Sequence, residues 1–253
     1  MEYLLLSRHK KGHGIHSPFV FDLVYRVFRN KIDTDIVFTI EKIRKKMISD
    51  PRLISVIDLG SGSERMKTSL RKVSDIARYS AVPLKYGCLL SNMSKEFGKT
   101  SVIECGTSLG ISTMYIAASC PDTTVHTIEG CPATSEIAKE NFKEAGLKNI
   151  KLYNGPFDEV LPVIRKETMT PGLIFFDGNH RKEPVVRYFD MVAEISDSKT
   201  VIIIDDIYSS KGMTEAWYEI KKNKKVTFTI DIFRMGFLFF RQGVNRFDYI
   251  IRY

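Results

Sequence analysis

The sequence predicts an α/β fold, an open and mostly parallel doubly wound sheet preceded by a helical cap. Three observations carry this. From residue 101 onward, short apolar runs (101–105, 125–129, 150–153, 173–177, 201–205, 226–232 and 237–241) alternate with helical stretches (112–119, 133–145, 185–194 and 214–222), the pattern of strands joined by crossover helices. Leu173-Ile174-Phe175-Phe176 and Val201-Ile202-Ile203-Ile204 are apolar at every position, as strands buried on both faces must be. Only a short loop separates 226–232 from 237–241. That distance suits a hairpin and not a crossover, so the last of the seven strands runs antiparallel. The tail 247–253 reads equally as a further strand or an irregular extension.

The first hundred residues read mainly as helices. Ser17-Pro18 has the form of an N-cap followed by proline at N1, opening a helix with Phe19, Leu23 and Val27 along one side. A second helix lines up Ile36, Ile40, Ile43 and Met47, with Lys42, Arg44, Lys45 and Lys46 mostly off that stripe. Pro83 opens a third, with Leu89, Leu90, Met93 and Phe97 inward. The expected division is a basic, mainly helical extension or cap over 1–83 and the sheet domain over 84–253. At 43% hydrophobic and 27% charged residues, the chain can bury a full core. No apolar run approaches the roughly 18 residues of a membrane span, and the start lacks the basic region of a signal peptide. Cys88, Cys105, Cys120 and Cys131 show no metal-type spacing, so free thiols and a cytoplasmic location are expected.

Two glycine-rich turns follow apolar runs: Asp58-Leu59-Gly60-Ser61-Gly62-Ser63 and Glu104-Cys105-Gly106-Thr107-Ser108-Leu109-Gly110. A nucleotide-type loop must open a helix, whose N-terminal N–H groups and dipole receive the ligand. It also needs an acid about 20 residues on for the ribose hydroxyls. The second turn meets both conditions, with a helix start at 111–117 and Glu129 ending the next strand. The first is followed by Glu64, Arg65, Lys67, Arg71 and Lys72 and by no strand ending in an acid. It is expected to be a structural turn or part of a lid. The spacing Gly106-x-x-x-Gly110 also differs from the G-x-G-x-x-G of a nicotinamide site. Glu104, two residues before the first glycine, is a poor neighbour for a pyrophosphate and suits a cationic ligand with an amino acid moiety.

Over residues 84–241 these features resemble the class I S-adenosylmethionine-dependent methyltransferases, with a Rossmann-like sheet. Glu104-Cys105-Gly106-Thr107-x-x-Gly110-x-Ser112-Thr113 is similar to the family's first motif, Glu129 to its ribose-binding acid, Asp177-Gly178-Asn179-His180 to the end of its fourth strand, and Asp205-Asp206 to the paired acids ending its fifth. The branch most resembled is that of the metal-dependent cephalosporin-type and macrolide-sugar O-methyltransferases. The resemblance implies that Gly106, Thr107, Gly110 and Ser112 surround the methionine part of S-adenosylmethionine, with Glu104 near its amino group. It implies Glu129 on both ribose hydroxyls, and Gly155 and Phe157 where the adenine is held, although the polar residue often found there is missing. It also implies Asp177, Asp205 and Asp206 as ligands of Mg²⁺ or another divalent cation, and His180 as the base.

The chemistry is coherent with that reading. Ligands of open parallel sheets sit beyond the carboxyl ends of the strands, where Asp177, His180, Asp205 and Asp206 all fall. Neighbouring strands are about 4.8 Å apart, so the carboxylates can converge. A hard divalent ion would relieve their repulsion and stabilise an acceptor alkoxide, and His180 could take the proton. Each residue alone also has a structural explanation: a loop start, a held backbone turn, an exposed histidine.

The net charge of +8 is uneven: residues 1–100 hold 19 basic and 10 acidic side chains, and residues 101–253 hold 19 and 20. The tract Arg8-His9-Lys10-Lys11-Gly12-His13-Gly14-Ile15-His16 can be a substrate lid, an RNA-facing arm, a solvated face or a homo-oligomer contact. The expected activity is methyl transfer to a small-molecule hydroxyl acceptor, with an anionic group on that acceptor left open. The alternatives are an RNA or anionic-polymer methyltransferase and a non-catalytic S-adenosylmethionine-binding protein.

Overall fold

In a computed structural model, residues 17–57, 68–168, 170–243 and 246–253 are described. The tract 8–16 and the Asp58–Gly62 turn lie outside them. Ser17 caps the first helix, its hydroxyl accepting from Val20 N–H at 3.4 Å, and Pro18 takes the N1 place. This helix, α1 (Pro18–Asp22), runs on into a π-helical stretch (Leu23–Phe28). Then follow α2 (Thr34–Ile48), the short strands β1 (Leu53–Ser55) and β2 (Leu70–Lys72), α3 (Val73–Tyr79) and α4 (Leu84–Phe97). The front is thus not wholly helical, because the apolar run from Ile54 pairs antiparallel with Leu70–Lys72.

The alternating part contains β3 (Val102–Cys105), α5 (Ile111–Ser119), β4 (Val125–Glu129), α6 (Pro132–Glu144), β5 (Ile150–Asn154), α7 (Phe157–Glu167), β6 (Leu173–Phe176), α8 (Lys182–Ala193), β7 (Val201–Ile204), α9 (Lys211–Lys221), β8 (Phe228–Asp231), β9 (Gly236–Phe239) and β10 (Phe247–Ile250). Helix α7 is not among the expected helical stretches, although Phe157, Val160, Leu161 and Ile164 follow helical spacing; Pro162 sits inside it. The sheet order is β10-β8-β9-β7-β6-β3-β4-β5. Strands β5, β4, β3, β6 and β7 are mutually parallel, while β9 is antiparallel to both β7 and β8. The expected seven strands become eight, because the tail strand β10 pairs parallel with β8 and covers its backbone edge.

Alternation along the strands divides the core. Phe175, Ile203 and Phe237 face a layer that includes Leu23, Phe28, Ile40, Met47 and Leu89 of the front helices. Ile174, Phe176, Ile202 and Ile204 face α7, α8 and α9. The front helices therefore share one hydrophobic layer with the sheet. Phe19 meets Phe228 and Phe239 edge-on, with ring centroids 5.8 and 5.9 Å away. Tyr115 Oη donates to Glu41 at 2.9 Å, and Arg44 grips both Glu41 and the Val82 carbonyl, tying α2 to α5. Among the described residues, no helix is long and apolar enough to cross a membrane.

Phe175 is wholly buried on the central strand β6. Phe175→Ala is expected to cost about 3–5 kcal/mol of unfolding free energy. Urea titration followed by the fluorescence of the single tryptophan, buried Trp217, measures it.

Candidate functional site

The loop between β3 and α5 is shaped by close approach. Gly106 has φ +113°, and a Cβ there would lie 2.1 Å from the Asp177 carbonyl oxygen. Glycine lets the ends of β3 and β6 meet, with Asp177 N–H donating to the Cys105 carbonyl at 2.8 Å. Gly110, at φ +84°, forms the N-cap of α5, and a Cβ there would strike the Phe142 ring at 2.4 Å. Ser108, Asn179, Asp206 and Phe233 carry positive φ without being glycine. All four stand in loops at the carboxyl ends of parallel strands, and such strain gathers at functional sites.

Glu104 lies under the loop, fully buried. Its Oε2 accepts from Thr113 at 2.5 Å and from Thr127 at 2.6 Å, and the Thr107 hydroxyl lies 2.6 Å from that of Thr127. Its Oε1 accepts no well-formed hydrogen bond among the described residues. Burial pushes the carboxyl up to about 7, against the opposing pull of the Ser112, Thr113 and Thr127 hydroxyls. A buried acid with an orphaned oxygen suits a cationic ligand group nearby.

Glu129 ends β4. Its two oxygens accept from Ser108 N–H at 2.7 Å and Cys131 N–H at 2.9 Å. Each oxygen keeps a lone-pair direction for a ligand. The carboxylate faces a cleft of about 460 Å³, also lined by Ser108, Gly155, Phe157, Asp158, Asp177, His180, Arg187 and Tyr188. Phe157 stands edge-on to Tyr188, with ring centroids 5.5 Å apart. Asp158 is held by Arg187 at 2.8 and 2.9 Å and by Tyr188 Oη at 3.0 Å. Val56, Ile57, Arg71, Ile76 and Ser80 supply the facing wall.

Of the residues expected to hold a cofactor, Glu129, Gly155, Phe157 and Asp177 line this cleft. Glu104, Thr107 and Ser112 lie buried under the loop, and Gly106 and Gly110 shape it. His180 Nε2 stands 3.8 Å from Asp177 Oδ1.

The expected metal ligands are arranged differently. Asp205 is fully buried, and both its oxygens are taken by Arg234: Nε at 3.0 and 3.2 Å and Nη2 at 2.8 Å. Asp206 Oδ1 lies 3.8 Å from the same Nε. Among the described residues, no group of three or more His, Cys, Asp or Glu side chains could hold a metal ion. Asp205 as placed does not fit a divalent cation, because the Arg234 guanidinium already occupies both its oxygens, and without it Asp177 and Asp206 are too few to make a carboxylate cage. Burial, Asp205 and Asp206 raise Asp177 well above the usual carboxylate range, with Arg234 opposing. Burial pulls Arg234 down, but its hydrogen bonds to Asp205 and the fields of Asp205, Asp206 and Asp177 outweigh it and keep the guanidinium charged.

Arg234 escaped the sequence reading. It belongs to no local motif, and its partner is 29 residues away. The one available signal was the hairpin itself: pairing β9 antiparallel to β7, with Ile204 opposite Gly236, returns the hairpin turn to the strand end carrying Asp205. Arg187, Tyr188 and the front-wall residues had no such signal.

Residues 103–207 match a family described as a methyltransferase domain. With the sheet order and the glycine loop, that match fits the class I methyltransferase fold. The O-methyltransferase imqG of Aspergillus flavus is 29% identical over 127 residues, 48% of this chain and 51% of its own length. The chain spans 46% to 62% of the curated relatives it matches. Among solved structures, the O-methyltransferase TomG from Streptomyces achromogenes, in complex with S-adenosylmethionine, aligns with a TM-score of 0.60 at 17% identity, covering 95% of this chain and 99% of that one. An O-methyltransferase from Bacillus cereus, in complex with S-adenosylhomocysteine, aligns with a TM-score of 0.58 at 18% identity, covering 87% and 97%.

The burial of Glu104 has a measurable cost. Between its ordinary pKa of 4.5 and the folded value of about 7, the folded chain keeps a proton that the unfolded chain has released. Its contribution to stability is therefore full below pH 4.5 and falls as pH rises toward 7, by roughly 3 kcal/mol. Glu104→Gln is expected to lack this fall. Urea midpoints of wild type and variant across pH 4–8 should converge at the acid end and separate toward neutrality.

Proposed function

We propose that the chain transfers a methyl group from S-adenosylmethionine to a hydroxyl of a small molecule, with His180 as the base. The observation that carries this is Glu129, pinned by Ser108 and Cys131 N–H groups on the cleft wall beside the glycine loop. A carboxylate so held offers two parallel acceptors to the vicinal hydroxyls of a ribose. Glu104 supplies a second match, since its orphaned Oε1 lies under the loop that would surround the amino acid end. Phe157 and Tyr188 offer apolar surface for a purine. The names of the relatives above support oxygen as the methyl acceptor, and four free cysteines suit a reducing cytoplasm.

When bound, the cofactor supplies a methyl carbon on a positively charged sulfur. The protein's tasks are to align the acceptor oxygen behind that carbon, exclude water and take one proton. His180, on the cleft wall 3.8 Å from Asp177, would receive the hydroxyl proton as the oxygen–carbon bond forms and the carbon–sulfur bond breaks. Asp177 can orient its imidazole. Val56, Ile57, Arg71, Ile76 and Ser80 line the same cleft, which supports a part for the front of the chain in acceptor selection. No step is given to a divalent ion, since Arg234 holds Asp205.

Calorimetry is expected to show cofactor binding in the micromolar range. Glu129→Ala should weaken it by about tenfold or more, the loss of at least one charge-assisted hydrogen bond. Unchanged affinity would remove the ribose assignment. Screening of catechols, sugars, hydroxy acids and total RNA for methyl transfer identifies the acceptor. With that acceptor, His180→Ala should lower kcat by about 100-fold or more while cofactor affinity holds.

A further inference from the structure

The acids beside Asp177, which lines the cleft, come with their own counter-charge. Register places Phe176 beside Ile204, so Asp177 and Asp205 leave neighbouring strand ends side by side, and Asp206 follows at φ +52°. The hairpin between β8 and β9 is stitched to the same place, with Ile207 N–H donating to the Arg234 carbonyl at 3.2 Å. Phe233, immediately before the arginine, holds φ +74°. The guanidinium lies over the Tyr86 ring at 5.3 Å, forks onto Asp205, and stands within the field of Asp206 and Asp177. A guanidinium cannot shed its charge under ordinary conditions and matches a carboxylate with two parallel donors.

We infer that Arg234 takes the place of a divalent cation at this site, so that the carboxylate cluster is satisfied by the protein itself and the site works without metal. The inference deepens the methyltransferase reading and rests on it only for the consequence at the acceptor. Arg234 keeps 27% of its side chain exposed, and its Nη1 has no hydrogen-bond partner among the described residues. That nitrogen is the donor available to an acceptor oxygen. It gives one fixed, directional hydrogen bond where an ion would chelate two vicinal oxygens.

The test is Mn²⁺ titration of the full chain, followed by the electron paramagnetic resonance of free Mn²⁺. Wild type is expected to leave the signal unchanged, whereas Arg234→Gln, which exposes the carboxylates, should take up Mn²⁺. Arg234→Gln/Asp205→Asn should lose that uptake again. Mn²⁺ bound by wild type and released by Asp205→Asn would overturn the inference. So would an Arg234→Gln chain that folds by circular dichroism yet binds none. If Arg234→Gln does not fold, Arg234→Lys retains a cation and should bind no Mn²⁺; uptake by it counts against the inference. Cofactor affinity measured on the same samples separates the two readings, because its absence sinks the proposed activity and leaves the Mn²⁺ result standing. Once an acceptor is known, methyl transfer should be unchanged by EDTA.

Discussion

The site depends on the level at which three parallel strands end. Cys105 pairs with Phe176, and Phe176 with Ile204, so Gly106, Asp177 and Asp205 emerge in one row. Two consequences follow at once. Backbone meets backbone at Gly106, where no side chain fits. Carboxylates are also brought together there, with Asp205 fully buried and Asp177 mostly so. Buried like charges must be neutralised, by protonation or by a cation, and here both devices operate: Asp177 is pushed toward its protonated form, and Arg234 forks onto Asp205.

The same row explains why the glycine loop looks as it does. The loop turns away over Glu104, whose burial outweighs its hydroxyl hydrogen bonds and whose Oε1 is left orphaned. It then closes against Glu129 through Ser108 N–H. Of the four strained residues, Ser108 and Asn179 line the cleft, and Asp206 and Phe233 flank Asp205 and Arg234. Such conformations persist where the surrounding packing over-determines them, and here the fully buried strands β3, β6 and β7 provide that rigidity.

The front of the chain holds the positive surplus, yet its described part acts chiefly through apolar packing. Phe19, Phe28, Ile40 and Met47 join the layer that covers the sheet. The β1–β2 pair and α3 supply one wall of the cleft. Charge along the first hundred residues thus accompanies a structural task, and the cleft it borders mixes acids with Arg71, Arg181 and Arg187.

By itself the sequence determined what short-range pattern can encode. The all-apolar runs at Leu173 and Val201 specified buried parallel strands, Gly106 and Gly110 marked the loop, and Glu129 marked the acid of the next strand. The helix at Phe157–Glu167 is legible in the spacing of Phe157, Val160, Leu161 and Ile164 yet stands outside the expected helical stretches, with Pro162 inside it; the edge strand at Phe247–Ile250 was hidden because its pairing partner is not local. Only the tertiary structure decided what faces Asp205. Spacing along the chain places an acid at a strand end, but not the arginine that a hairpin returns to it from 29 residues away. It also could not set the state of Glu104, because burial and missing hydrogen bonds belong to the packed environment and not to the residue.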